Sequence, residues 1–349
     1  MIGLLGATGH TGVKLAQVLH QRGQPIFLGG RDTDKLAALA REVAPARTQL
    51  CEARDKSALR RFFEPCDVVV NCVGPYTTLG WEACQIALET ETSLFDLTGE
   101  QGFQRRCIEK LDDGCKELGV VIANAMGLEV VVADCAAELL LRRHPSARRV
   151  HVVNHVRDFA SSGGSRQSLA HIFGQSSVTW RDGGLVNGQR VAGRLRRADL
   201  GSLGTRWMAW GPGVEILCIA QKAELDRVDC WFEMPGWMAA GAWANSRMMA
   251  RSAGLIQKAA GLWTRPMGAS KPGPFLIRVS VEDDRRELGA IEVRGHDPYG
   301  ITAVITAWCA EEFIKNGPIS EVGGVLPPSA VIDAERFFDA HPQLEVIET

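Results

Sequence analysis

The sequence predicts a doubly wound α/β fold, a parallel sheet with helices on both faces, into which an α+β domain with a mostly antiparallel sheet is inserted. Three observations support this prediction. Short apolar runs alternate with amphipathic segments over the first third of the chain. A glycine-rich turn directly follows the first apolar run, and the regular alternation ends near residue 147. Such alternation is typical of βαβ units, which build parallel sheets.

The first third contains six apolar runs of strand length, and each is followed by a helical pattern. Glycine, proline and polar residues bound these runs, as expected for strands. The segments between them place apolar residues at helical spacing. The predicted strands are 2–5, 25–28, 48–51, 68–72, 93–97 and 120–123, and the predicted helices are about 10–22, 33–44, 56–64, 77–90, 101–118 and 129–143.

The middle of the chain has a less regular pattern. Glycine-rich and polar loops separate short strand-like stretches there, which favours an α+β domain on a mostly antiparallel sheet. The predicted strands are 151–157, 214–219, 228–233 and 276–282.

These patterns predict two domains. A helical pattern returns at 299–314, and we expect it to rejoin the first domain. The first domain is therefore predicted to comprise residues 1–147 and 297–349, and the inserted domain residues 148–296. Within the inserted domain, the segment 234–265 is rich in Ala, Gly, Met and Trp, which is compatible with a lid, a dimer contact or an interfacial helix.

Composition excludes several classes of protein. Hydrophobic residues make up 46% and charged residues 23% of the 349 residues, which are ordinary globular values. The formal net charge of -2 supplies no basic field for nucleic acid, so no nucleic-acid partner is expected. Ten cysteines occur without a CxxC pair and lie mostly among apolar neighbours, which predicts reduced thiols in a cytoplasmic protein.

Targeting and metal-binding signals are missing from the sequence. The N-terminus MIGLLGATG has no charged region before its apolar residues, so no secretory signal is predicted. No run reaches the roughly 18 apolar residues of a transmembrane helix. The eight histidines form no HExxH pattern, and we predict no metal site.

The strongest motif is the stretch GATGHTG, between the first predicted strand and the first predicted helix. Gly6 permits a tight turn, Gly9 lets the backbone approach a pyrophosphate, and Gly12 lets the helix pack closely on the strand. The helix N-terminus itself favours an anion. This predicts a Rossmann-type dinucleotide site, with a glycine turn that binds nothing as the alternative. The predicted cofactor-binding residues here are Gly6, Thr8, Gly9, His10, Thr11 and Gly12.

The end of the second predicted strand indicates which dinucleotide is bound. An acidic residue at this position binds the ribose 2′-hydroxyl of NAD, whereas an arginine accommodates the 2′-phosphate of NADP. Arg31 lies here, and Lys35 adds a second positive charge about one helical turn further on. We therefore predict NADP(H). A strand end shifted by one residue would instead present Asp32 and favour NAD.

The loop after the fourth predicted strand is expected beside the nicotinamide, because ligands of doubly wound sheets lie beyond the carboxyl ends of the strands. Asn71, Val73, Gly74 and Pro75 are the predicted cofactor-binding residues of this loop. Tyr76 is the candidate proton donor and a candidate substrate-binding residue, since its hydroxyl can donate to an anion. The alternative is a tyrosine that packs over the loop.

The motifs GATGHTG, GGRDTDKL, NCVGPYTTLG and DLTGE, in this order, resemble the saccharopine dehydrogenase-like family of NADP-binding oxidoreductases over about the first 130 residues. Further on, Ser162, Gly163, Gly164 and Ser165 resemble a segment of the trans-acting enoyl reductase branch and are the remaining candidate substrate-binding residues. The stretches GHDPYG and GGVLPP resemble closing motifs of that branch. Family members often carry an Asp and a Pro before the sixth helix, whereas the stretch 127–134 keeps only the glycine and the final Asp of that pattern.

The resemblance implies a split Rossmann domain, an inserted domain that holds a small-molecule substrate, and hydride transfer from NADPH. The tryptophans and methionines of the inserted domain favour an apolar substrate, and the resemblance to the enoyl reductase branch implies a conjugated C=C bond in it. Two alternatives remain. One is a C=N reductase of amines or amino acids, for which arginines that clamp a carboxylate are expected. The other is a non-catalytic NADP-binding sensor or scaffold. A homodimer is also expected.

Overall fold

The computed structural model divides the chain into two compact units. The first comprises Met1–Thr98, Gly102–Val131 and Pro298–Asp333, and the second comprises Gly99–Gln101, Val132–Asp297 and Ala334–Thr349. The structure describes residues 1–156, 177–189, 194–199, 204–233 and 273–349.

A sheet of seven parallel strands forms the centre of the first unit. Its strands are β1 (Ile2–Leu5), β2 (Ile26–Gly30), β3 (Ala46–Leu50), β4 (Val68–Asn71), β5 (Ser93–Asp96), β6 (Val121–Ala123) and β15 (Gly324–Val325). Their order is β15-β6-β5-β4-β1-β2-β3. All residues of β1, β4 and β5 are buried, as expected for a parallel sheet that is covered on both faces.

The helices follow the strands in the predicted alternation. Asp32 and Asp55 begin two of them, each accepting a hydrogen bond at 3.0 Å from a backbone N–H three residues on. The described helices are α1 (His10–Gln21), α2 (Thr33–Glu42), α3 (Lys56–Phe63), α4 (Tyr76–Leu79), α5 (Trp81–Glu89), α6 (Gln101–Leu118), α7 (Leu128–Arg143), α8 (Glu215–Ile219), α9 (Pro298–Asn316), α10 (Pro328–Val331) and α11 (Ala334–Asp339).

The second unit contains a nine-stranded sheet that is antiparallel except where β12 pairs with β7. Its strands are β7 (Arg149–Val156), β8 (Ser177–Arg181), β9 (Gly184–Gln189), β10 (Leu195–Asp199), β11 (Thr205–Trp210), β12 (Arg227–Glu233), β13 (Pro274–Glu282), β14 (Glu287–His296) and β16 (Glu345–Glu348). The predicted fold class, a doubly wound parallel sheet with a mostly antiparallel α+β part, is confirmed.

One predicted strand is wrong. Residues 214–219 form helix α8, in which the Cys218 N–H donates to the Val214 carbonyl at 3.3 Å. The apolar run is too short for its periodicity to distinguish a strand from a buried helical turn. Its residues Glu215–Ile219 are all buried, so the run carries the uniform hydrophobic pattern of a core element.

The compact units differ from the predicted domains in four places. Residues 99–101, residues 132–147 with most of α7, residue 297 and residues 334–349 belong to the second unit rather than the first. The reason for the C-terminal stretch is that β16 pairs with β14 in the second sheet. In both divisions the first unit is discontinuous and α9 returns to it.

Candidate functional site

The turn between β1 and α1 is shaped by the absence of side chains. Gly6 has a φ of +78°, in the left-handed region that favours glycine. A Cβ at Gly12 would lie 2.4 Å from the Gly6 carbonyl oxygen and 2.8 Å from that of Ala7. The helix therefore lies against the turn at a distance that only glycine allows, as the motif predicts.

The N-terminus of α1 is suited to an anion. Its N-cap is Gly9, which has no side-chain cap, and the first turn contains no acidic residue. The first backbone N–H groups of any helix have no intrahelical acceptor, and the helix dipole adds partial positive charge there. Thr8 and Thr11 lie beside this end and are partly exposed. A dinucleotide pyrophosphate therefore fits this cradle.

The residue that directly follows β2 is Arg31, which is exposed. Asp32 does not occupy the strand end, because it is the N-cap of α2, and the backbone N–H of Lys35 lowers the pKa of its carboxyl. The Lys35 ammonium lies 3.3 Å from Asp32 Oδ2 in an exposed pair, which binds weakly. The arrangement favours Arg31 over Asp32 as the group that reads the 2′ position.

The loop after β4 is held by hydrogen bonds of its own residues. The Asn71 side chain is buried and accepts from the Val73 N–H at 2.9 Å. Gly74 and Pro75 follow and are partly exposed. This loop lies at the same edge of the sheet as the glycine turn, because β1 and β4 are parallel neighbours.

Tyr76 is placed differently from the expectation for a proton donor. Its side chain is buried, and its hydroxyl donates to the Asn71 carbonyl at 3.0 Å and accepts from the Leu97 N–H at 3.3 Å. Its ring packs near that of Phe103, with centroids 5.9 Å apart. These contacts connect the carboxyl ends of β4 and β5. The geometry favours the alternative, a tyrosine that packs over the loop.

Asp96, at the end of β5, organises the next turn. Its buried carboxylate accepts from the Asn124 side chain at 2.6 Å and from the Ala125 and Thr98 N–H groups at 3.0 and 2.9 Å. Ala125 has a φ of +62°, an uncommon conformation for a residue with a side chain. This network fixes the backbone that leads into α7.

Sequence reasoning missed Tyr299 as a site residue. Tyr299 lies in the first turn of α9, and its ring meets that of His10 edge to face, with centroids 4.8 Å apart. The side chain is partly exposed. The returning helix thus contributes an aromatic ring beside the glycine turn. The GHDPYG motif, which contains Tyr299, is the signal in the sequence.

Sequence reasoning also missed Glu129, in the first turn of α7. Burial raises the pKa of its carboxyl, and the hydrogen bond from its own backbone N–H only partly opposes this. Among the described residues, no other side chain pairs with this carboxylate. The start of α7 is held against α9, since the Leu128 N–H donates to Thr302 Oγ1 at 3.4 Å. A carboxyl group with a raised pKa therefore lies beyond the carboxyl end of β6.

Several predicted features lie outside the described residues, namely Ser162, Gly163, Gly164, Ser165 and the segment 234–265. Where the chain is described, no group of three or more potential ligands could hold a metal ion. No described helix has the length and apolarity needed to cross a membrane.

Comparison with known families decides the nature of the first unit. Residues 2–122 match the family model described as saccharopine dehydrogenase NADP binding domain. Over these residues the chain resembles a saccharopine dehydrogenase-type NADP-binding domain. The motif resemblance and NADP as the expected cofactor are therefore confirmed for this part of the chain.

Curated relatives match the NADP-binding chain over part of its length. A putative trans-acting enoyl reductase of Mycobacterium tuberculosis is 31% identical over 186 residues, 50% of this chain and 44% of the relative. A saccharopine dehydrogenase-like oxidoreductase of Bos taurus is 28% identical over 149 residues, 38% and 35% respectively. A lipid droplet localized protein of Caenorhabditis elegans is 26% identical over 166 residues, 44% and 38%. The matches thus span less than half of each relative.

The fold extends beyond the matched sequence. Saccharopine dehydrogenase (L-Glu forming) of Saccharomyces cerevisiae aligns over 100% of this chain and 99% of its own, with a TM-score of 0.66 and 13% identity. At that identity the likeness shows the fold alone. The individual site residues stay predictions.

Proposed function

We propose that the chain is an NADPH-dependent reductase that transfers a hydride to an activated double bond, a conjugated C=C in a largely apolar substrate. The observation that carries the proposal is the glycine turn, where Gly6 and Gly12 leave the space that side chains would fill. The names of the enoyl reductase relatives support the C=C substrate. When bound, NADPH supplies the hydride.

The residues of the first unit have separate roles in this proposal. The amides at the start of α1 hold the pyrophosphate, together with Thr8 and Thr11. Arg31 binds the 2′-phosphate through charge-assisted hydrogen bonds, and Lys35 adds positive charge. The loop of Asn71, Val73, Gly74 and Pro75 packs against the nicotinamide side and excludes water.

Reduction of a conjugated C=C needs a proton after the hydride has been added. Tyr76 is a poor source, because its hydroxyl already donates to the Asn71 carbonyl. What supports Glu129 is its raised pKa, which retains the proton to higher pH, and its place beyond the carboxyl end of β6. In this proposal Glu129 gives its proton to the substrate anion and regains one from water.

The alternative C=N reductase uses the same cofactor site and differs only in the electrophile. A screen of enones and imines for oxidation of NADPH separates the two. Turnover of neither class, with NADPH still bound, would leave the sensor or scaffold. A cytoplasmic homodimer remains the expected state of the protein.

The first test is a titration with NADPH and NADH, followed by nicotinamide fluorescence, on the wild type and on Arg31→Ala. Charge-assisted hydrogen bonds contribute about 1.5–3 kcal/mol, so NADPH binding should weaken roughly 10- to 150-fold. NADH binding should be unchanged, since it has no 2′-phosphate. Arg41→Ala, an exposed arginine in the last turn of α2, is the matched control. Equal loss for both nucleotides would refute the role of Arg31.

A further inference from the structure

A buried carboxylate in the second unit is shared by several arginines. Asp229 on β12 is 0% exposed and accepts from Arg181 Nη2, from Arg194 Nη2 at 2.8 Å and from Arg227 Nε at 2.6 Å. Burial raises the pKa of the Asp229 carboxyl, but the Arg181 hydrogen bond and the arginine charges outweigh this and lower it. Three guanidinium groups therefore share one negative charge.

A fourth guanidinium, that of Arg196, lies nearby and has one unpaired nitrogen within the described residues. Arg196 on β10 lies over the ring of Trp231, 4.5 Å from its centroid. Its Nε is buried and has no hydrogen-bond acceptor among the described residues. Burial lowers the pKa of Arg196, although Asp229 and Glu282 oppose this. A buried charged donor without an acceptor is unfavourable. The described residues do not supply an acceptor for this Nε, so we expect one from outside them.

Two neighbouring indoles also lack acceptors. The Nε1 atoms of Trp210 and Trp231 are buried and unpaired within the described residues. Arg194 lies over both rings, 5.2 and 5.7 Å from their centroids. Three unpaired N–H donors, one of them charged, thus occur beside an excess of positive charge.

The ion pairs give the sign of the missing partner. We call Arg181, Arg194, Arg196 and Arg227 the arginine cluster. Within the described residues, Asp229 is the one carboxylate that forms ion pairs with the cluster, and Glu282 adds an electrostatic contribution at Arg196. Glu282 is also engaged by His151, whose Nε2 lies 3.3 Å away. A group with acceptor atoms and negative charge would pair with the donors that remain unpaired.

We infer that the arginine cluster binds an oxyanion, a carboxylate or phosphoryl group of a small molecule. The planar guanidinium presents paired donors that match such oxygens. The Trp231 ring beside them suits an apolar portion of the same molecule, so the ligand is amphipathic.

The test titrates the full-length protein with sodium phosphate and, separately, with sodium acetate and sodium octanoate, at ionic strength held constant with sodium chloride. Tryptophan fluorescence reports binding, since the Trp210 and Trp231 rings lie against arginines of the cluster. The variant Arg196→Met removes the charge and keeps the stem. The matched control is Arg294→Met on β14, whose guanidinium pairs with Glu292 instead. Trp231→Phe, which removes the indole N–H and keeps a smaller aromatic ring, is a second variant if Arg196→Met fails to fold.

The inference expects saturable binding of at least one oxyanion that weakens tenfold or more in Arg196→Met, several-fold in Trp231→Phe and less than twofold in Arg294→Met. Phosphate binding alone identifies a phosphoryl source, and acetate or octanoate binding identifies a carboxylate. Fluorescence changes no larger than those with sodium chloride alone, or equal binding by all variants, would overturn the inference. An NADPH titration of the same proteins separates the two proposals. If the wild type binds no NADPH, the reductase proposal fails, while the oxyanion result is read independently.

Discussion

Replacement of Gly12 by alanine tests the glycine turn most directly. The added Cβ would lie 2.4 Å from the Gly6 carbonyl oxygen and 2.9 Å from the Ala7 carbonyl carbon. Non-bonded contacts of this kind settle near 3.5 Å, so the turn and helix must separate by about 1 Å. Both neighbours are backbone atoms, which cannot rotate away as a flexible side chain would.

Two effects set the expected magnitude for Gly12→Ala. Overpacking costs about 1–3 kcal/mol, and the better helix propensity of alanine returns at most about 1 kcal/mol, so the free energy of unfolding should fall by about 1–2 kcal/mol. A displacement of about 1 Å at a binding centre can cost on the order of 100-fold, and we expect both NADPH and NADH to bind at least ~10-fold more weakly. The pyrophosphate is common to both nucleotides, so the loss should not discriminate between them.

The assay combines nicotinamide fluorescence with thermal unfolding followed by circular dichroism. The control is Gly114→Ala in α6, where the new Cβ would meet only the end of the Leu88 side chain, at 3.1 Å. That variant should bind both nucleotides like the wild type. If Gly12→Ala also binds both nucleotides like the wild type, the turn does not form the cofactor site and the reasoning is refuted.

Three further predictions concern buried charges. The pKa of Glu129 is raised in the folded state, so the wild type loses stability as pH rises from the unfolded pKa through the folded one. Glu129→Gln should therefore unfold at a higher temperature than the wild type at pH 7. Near pH 4 the two should unfold at the same temperature. Asp229→Asn leaves its arginines uncompensated and should cost about 3–5 kcal/mol at pH 7. The lowered Asp229 pKa stabilises the wild type above the unfolded pKa, and this difference should vanish as pH falls through the folded one. Lys222→Met removes the buried ammonium that lies 3.1 Å from Asp134 and 3.3 Å from Glu138, and it should cost a similar amount, with much of it recovered in the double variant with Asp134→Asn.

Each of these has an outcome that would contradict it. A stability difference between Glu129→Gln and the wild type that does not change with pH would remove the argument for a carboxyl that retains its proton. An Asp229→Asn or Lys222→Met variant with wild-type stability at pH 7 would show that these buried charges find other partners. Thermal unfolding measures all three, from about pH 4 to pH 8 for the Glu129 and Lys222 variants and down to about pH 2 for Asp229→Asn.

The sequence predicted the first sheet well because its signals are local. A parallel strand buried on both faces is an uninterrupted apolar run, and a glycine turn must follow it directly if it is to bind a phosphate. The predicted strand ends differ from the observed ends by at most two residues, as for β2, which is predicted at 25–28 and observed at Ile26–Gly30. The prediction for 214–219 failed because a buried helical turn has the same uniform apolarity.

The site residues that the sequence did not reveal depend on contacts between distant parts of the chain. Tyr299 meets His10 only because α9 returns to the first unit. The arginine cluster is assembled from β8, β10 and β12 together with the residue before β10, through strand register such as Arg181 opposite Arg227. No spacing along the chain encodes such a register, since it depends on how the loops bring the strands together.

The arginine cluster also changes how the tryptophans of the second unit are interpreted. Their abundance alone favours an apolar substrate, yet Trp210 and Trp231 serve as platforms for Arg194 and Arg196. The same rings therefore lie beside positively charged groups. An apolar molecule without an acid group would give those charges no negatively charged partner. The tryptophan content of this unit therefore does not by itself favour an apolar ligand over an acidic one. The titrations with phosphate, acetate and octanoate decide which acid group the cluster accepts.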